Sequence, residues 1–276
     1  DVTGKTVSKT RRGRMSGVAA SAAGLLTLLT ALVIIFAPEM DGQRPLFVAL
    51  LGAGVALWVV AALLYAGIPE VAGATEGGGN ALTEAVKSMS LLWQNRQFGH
   101  FVVSRALLVA AAFAIPYIVV LIQREGEAEL TSLGSLMLAS GLAGLLAGRF
   151  WGRWSDSASH HVMAAASVMG IALALYYWAP DALGMQWVAA ALLFSSAVAH
   201  HGARVGRKTY LVDMATQDNR AQLTAVSNTV MGVVLLAGLL LGWVDAAYGV
   251  AAVLWVLAAI GVIAAFSALR LPDVSG

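Results

Sequence analysis

Gly152 and Asp156 stand one helical turn apart within GLLAGRFWGRWSDSASHH, residues 144–161, a short polar stretch between two long apolar runs. A glycine there lets two helix ends come close. A carboxylate one turn later can accept hydrogen bonds from the free N–H groups that begin a neighbouring helix, or pair with an arginine. Such chemistry makes a reversible contact, with Arg153 as a positive companion between the two residues. A second polar stretch, Gly202 to Leu223, alternates Arg204, Arg207, Lys208, Asp213, Asp218 and Arg220. It reads either as part of the same contact, through Asp213 and Arg220, or as solvated charge that sets orientation.

Polar residues inside the apolar runs are few. Ser195, Ser196, His200 and His201 close one run, Asn228 and Thr229 enter another, and Pro116 with Tyr117 interrupts a third. Polar groups are costly in hydrocarbon and usually face a bundle interior, so Tyr117, Ser196, His200 and Asn228 are candidates to line a substrate cavity. Pro116 removes a backbone donor and is the candidate helix bend. Adjacent helical residues point in different directions, so His200 and His201 cannot both line one cavity. Arg105 reads as a side chain that snorkels to the membrane surface. The chain has no cysteine, its 5 histidines show no H-x-x-x-H spacing, and neither a G-x-S-x-G nor a G-x-x-x-x-G-K-S/T motif occurs. No metal site, cofactor or catalytic residue is therefore expected, and the chain does not read as an enzyme.

The elements that must carry these residues follow from composition. In a chain of 276 residues, 59% are hydrophobic and 12% charged, with a mean hydropathy of +0.78, more apolar surface than a soluble domain of this size can bury. The expectation is an all-α, polytopic membrane protein. Eight segments, about 15–37, 46–67, 101–122, 130–148, 162–180, 183–203, 221–244 and 247–269, approach the roughly 20 residues a helical crossing needs. Continuous Ala, Leu and Gly without period-two alternation favours helices over barrel strands. With both ends of the chain on the inner side, every one of the 17 basic residues except Arg44 and Arg124 lies inside. That is the positive-inside pattern of a plasma membrane protein, of the bacterial inner-membrane kind. It also accounts for the net charge of +2 without nucleic acid.

Residues 1–67 hold two of these spans, 68–97 form a long polar loop, and 98–276 hold six. Gly77, Gly78 and Gly79 mark the loop as linker, whereas Leu82, Val86, Met89 and Trp93 recur at the spacing of an amphipathic surface helix. Arg12, Val18 and Gly24 match Arg220, Val226 and Gly232 at a constant offset, with Asp1 upstream of one copy where Asp213 precedes the other. Internal repeats of this kind mark transporters built from two similar halves. If the first span is the counterpart of the seventh, each half is expected to have six spans and the chain is expected to begin inside a longer protein. The basic start at Lys9 to Arg14 is read as a topogenic flank, not a cleaved signal.

On these residues the chain resembles the major facilitator superfamily, as helices five to twelve of a twelve-helix transporter. Gly152, Arg153 and Asp156 are similar to that family's hairpin G-x-x-x-D-R-x-G-R-R, in the copy between helices eight and nine. Ser157, His160 and His161 stand among the positions of the arginines that would follow the Asp. The resemblance implies a secondary or facilitative transporter, a monomer in the lipid bilayer that moves a small solute by alternating access. The candidate coupling species is a proton or cation. It also implies that Gly152, Arg153, Asp156, Asp213 and Arg220 form a cytoplasmic gate in which Arg220 partners Asp156. The alternatives are a non-transporting receptor or scaffold of the same fold and an intramembrane enzyme.

Overall fold

Ala-, Leu- and Gly-rich runs fold as helix in the computed structural model, which describes residues 6–36, 44–69, 87–124, 133–176, 186–216 and 218–275 and has no strand among them. The helices are α1 Lys9–Phe36, α2 Arg44–Ala66, α3 Leu91–Gln94, α4 Arg96–Ala111, α5 Ala114–Arg124, α6 Leu133–Tyr176, α7 Gln186–Met214, α8 Arg220–Ala237 and α9 Leu239–Leu269.

Two of these rods fold back on themselves. A Cβ at Gly144 would lie 3.1 Å from the His201 ring, while Ser167 and Gly170 share a cavity with neighbouring His200. In a straight helix residues 144 and 170 would stand roughly 39 Å apart, so α6 must reverse between them. The backbone leaves helical geometry midway, at Ala158 (φ −161°, ψ 69°). The stretch from α8 to α9 reverses likewise. Ser227 and Ser267 both bond α4, at Arg105 and Ser104 respectively, and the backbone turns at Gly249 (φ 82°, ψ 168°), a conformation that favours glycine.

Among the described residues four stretches are long and apolar enough to cross a membrane: Thr10–Phe36, Arg44–Ala66, Arg96–Leu121 and Arg220–Leu269. The expectation of eight spans is corrected to these four. The described parts of the runs expected over 130–148, 162–180 and 183–203 belong to α6 and α7, which continue through Arg149, Arg153, Asp156, Arg204, Arg207 and Asp213. The last two expected runs lie within one 50-residue stretch. Large apolar side chains face outward on α2, α8 and α9, among them Trp58, Leu236, Leu239 and Trp243, as lipid-facing residues do.

Pro116 acts where expected. Having no N–H, it cannot bond the Ala112 carbonyl, which accepts instead from Ile115 at 3.4 Å, and the helix breaks between α4 and α5 at 112–113. The exposed proline then occupies the first turn of α5. The start of α4 is capped by the Asn95 side chain, which accepts from Phe98 N–H at 3.0 Å. Leu82 and Val86 of the expected surface helix lie outside the described residues. Its end forms α3, where Met89, Leu91 and Leu92 pack on a core that includes Phe98, Phe101 and Tyr210.

The closest packing joins α1 to the first half of α6. Gly13, Gly17 and Gly24 descend one face of α1 while Gly152, Gly148, Gly144 and Gly141 ascend the facing side of α6, so the two run antiparallel. A Cβ built at Gly148 would sit 2.6 Å from the Gly17 carbonyl oxygen, and one at Gly152 would sit 2.6 Å from that of Gly13. Only glycine allows backbones this close, and in membranes such packing replaces the hydrophobic drive between helices. Gly148→Leu is expected to destabilise the fold by about 2 kcal/mol or more through overpacking. Gly232→Leu, at a site with nothing within 4 Å, should leave thermal unfolding unchanged. Differential scanning of the two purified variants checks the contrast.

Candidate functional site

The glycine seam delivers the Asp156 carboxylate to the start of α1. Its Oδ1 accepts from Gly13 N–H at 2.5 Å and its Oδ2 from Arg14 N–H at 2.9 Å. The carboxylate therefore partners the backbone of α1 rather than Arg220, as the resemblance implied. The reason is register: Gly152 touches Gly13, and one turn further along α6 brings Asp156 over the next N–H groups of the same helix. Burial raises the carboxyl above its ordinary range, while the N–H bonds from Arg14 and Gly13 pull it back down. Arg153 is exposed beside it.

A buried ion pair lies at the same end of the bundle. Arg12 Nη1 stands 2.9 Å from Asp213 Oδ1, with both side chains at least nine-tenths enclosed, and Arg12 also donates to the carbonyls of Val7 and Val212. Arg220, 4% exposed, donates to the Ala215 carbonyl at 3.4 Å and lies within electrostatic reach of both Arg12 and Asp213. Two arginines matched by the internal repeat thus meet around one carboxylate. Several backbone segments close over this end: Tyr210 donates to the Pro272 carbonyl at 3.0 Å, and Gln222 to Ser88 at 2.9 Å.

Next to this polar end lies a small, partly open cavity of about 50 Å³ between α4, α5, α6, α7 and α9. Its walls are mostly apolar, from Leu108, Ile115, Ile118 and Leu257, with Ser167, Ser196 and His200 as polar groups. The Ser196 hydroxyl and His200 Nδ1 are buried without a hydrogen-bond partner among the described residues. His201 points elsewhere, to the Ser140 backbone.

Two sequence candidates lie off the cavity. Tyr117 packs on a separate core with Ile118, Leu192 and Leu254, within electrostatic reach of Asp245. Asn228 accepts from Arg105 Nη2 at 2.8 Å, and Ser227 from Arg105 Nη1 at 2.6 Å. Two polar side chains of α8, the buried Ser227 and the exposed Asn228, thus hold the Arg105 guanidinium. Sequence reading missed this clamp, whose only trace was the Ser227-Asn228 pair. It also missed the Trp151 N–H that donates to the Val198 carbonyl at 3.0 Å and ties α6 to α7. Among the described residues no group of three or more His, Asp and Glu could hold a metal ion. No protein-family model and no curated protein matches the chain.

Asp213→Asn should destabilise by roughly 3–5 kcal/mol, because it leaves two buried guanidinium groups facing each other. Arg12→Gln should cost less, since Asp213 retains the charge of Arg220; denaturant unfolding in detergent ranks them. The Asp156 contact has an unusual pH sign. Its raised pKa means that the closed contact binds the proton more tightly than a hydrated carboxyl does, so mild acid favours closure. Cross-linking of an Arg14→Cys, Ser157→Cys pair should accelerate relative to an exposed control pair as pH falls toward that raised value, and Asp156→Asn should remove the dependence.

Proposed function

We propose that this chain forms most of a secondary or facilitative transporter of the major-facilitator type, moving a small solute by alternating access in a plasma membrane. The inner face in this reading is the end that carries Asp156, Asp213 and Arg220, with both chain ends cytoplasmic, as the basic residues favour. What supports the reading is the pairing of a cavity bearing buried Ser196 and His200, unpartnered among the described residues, with a breakable polar contact between α6 and α1. Asp156 closes that end on α1 through hydrogen bonds to backbone, which can break and remake without unfolding either helix. The seam between α1 and α6 suits such motion, because glycine-to-glycine contact has no interlocking side chains to unlock. Ser196 and His200 are the proposed substrate contacts, and a proton or cation is the proposed coupling species.

Because the chain lacks cysteine, an Ala199→Cys variant puts one thiol in the cavity wall. Impermeant maleimide should reach it from either side of oriented vesicles. A closed Arg14→Cys, Ser157→Cys disulfide should remove labelling from the inner side only. Access from one side alone, indifferent to the disulfide, overturns the reading.

A further inference from the structure

The residues that continue the cavity walls toward the polar end are cations. On α7, Ser196, His200 and Ala203 line the cavity, and Arg204 and Arg207 follow at helical spacing from His200 on the same face. On α4, Leu108 and Ala111 line it, and Arg105 lies one turn before Leu108. The charges of Arg105 and Arg204 both bear on Arg207, and those of Arg207 and Arg204 reach His200. Arg105 and Arg207, both half-buried, therefore lie within electrostatic reach of each other, with the exposed Arg204 beside them. Among the described residues no acidic side chain is paired with Arg105 or Arg207. Arg207 has no hydrogen bond or ion pair among the described residues, and Arg105 is held by the neutral Ser227 and Asn228 with its Nε buried and unpartnered.

Half-buried guanidinium groups that repel one another are costly unless an anion completes them, and the planar fork of Arg suits carboxylate and phosphate. The apolar wall beyond the arginines excludes a bare inorganic ion as the best fit. It favours a molecule with an apolar body against Leu108, Ile115 and Leu257 and an anionic head toward the polar end.

We propose that the cavity binds a small organic anion, its carboxylate or phosphate head held by Arg105 and Arg207 and its apolar body lying between α4, α5, α7 and α9. The proposal rests on the transport reading for its purpose, but not for its test. With the full chain in neutral-lipid nanodiscs, equilibrium binding of radiolabelled benzoate and phenyl phosphate is compared with that of benzamide and benzylamine. Binding of at least one anion is expected, without the neutral or cationic analogues. Arg105→Gln and Arg207→Gln should each weaken it by roughly tenfold or more. Arg207→Lys should recover part of the loss, while Lys208→Gln, at an exposed neighbour, should change nothing. The recovery by Lys separates lost recognition from lost folding. No binding of either anion, equal binding of benzamide, or indifference to Arg207→Gln overturns the assignment. So does displacement of benzoate by phosphatidylglycerol in the disc, which would make the cluster a lipid-headgroup site. Two-sided labelling of the Ala199→Cys variant with no anion preference would sink this inference and leave the transport reading intact.

Discussion

Backbone contact along the seam between α1 and α6 sets the register on which the polar end depends. Because Gly17 meets Gly148 and Gly13 meets Gly152, the two helices are fixed within one residue along their axes. A shift of a single position would drive Cβ atoms into opposing carbonyls. Asp156 then falls over Gly13 and Arg14 N–H without any further choice. The G-x-x-x-D spacing has a plain meaning here: the glycine makes the contact and the carboxylate, one turn on, reads its end.

The same register brings Arg12 to α7. It lies next to Gly13 on the seam yet on another face of α1, from which its guanidinium reaches Asp213 and the Val212 carbonyl. A buried pair of this kind is weak evidence for stability but strong evidence for specificity, since misaligned helices would strand each charge. With Arg220 nearby, the single carboxylate serves two cations. The arrangement is balanced tightly enough that moving any of the three elements exposes a charge. It therefore opposes small displacements and tolerates only a concerted one.

The helical class, the break before Pro116 and the cavity positions of Ser196 and His200 were legible in the sequence, because each follows from local physics: apolar runs, a missing donor, polar groups in hydrocarbon. The partner of Asp156 was not. A motif names what a carboxylate can accept but not which helix supplies it. The glycines at 13, 17 and 24 and at 141, 144, 148 and 152 held that answer as a matched stripe. Their pairing depends on tertiary contact that no single segment encodes. The fold-back at Gly249 was hidden for another reason: an unbroken apolar run carries no turn residue except one glycine among many. The Arg105 clamp was not legible, because its partner Ser227 sits 122 residues away in the chain. The internal repeat was partly physical. Arg12 and Arg220 are both buried beside Asp213, yet Gly24 is in backbone contact while Gly232 has nothing within 4 Å.

The contrast between the seam and the cavity shows where motion can occur. Along the seam, small residues give close contact with little relief, so one helix can pivot on the other without a rotamer changing. At its end, Asp156 makes hydrogen bonds to backbone, whose exchange with water costs little compared with opening a packed core, whereas the buried Arg12–Asp213 pair is costly to separate. Beside them, Arg105, Arg204 and Arg207 repel one another while the end is closed and no anion is present. Their repulsion and the bonds of Asp156 thus act in opposite directions on the same closure. An anion entering between Arg105 and Arg207 would remove the repulsion and leave the carboxylate contact unopposed. On the proposed transport reading, occupancy of the cavity and closure of its polar end would be two sides of one equilibrium, and a ligand could shift it only by as much as it relieves those charges.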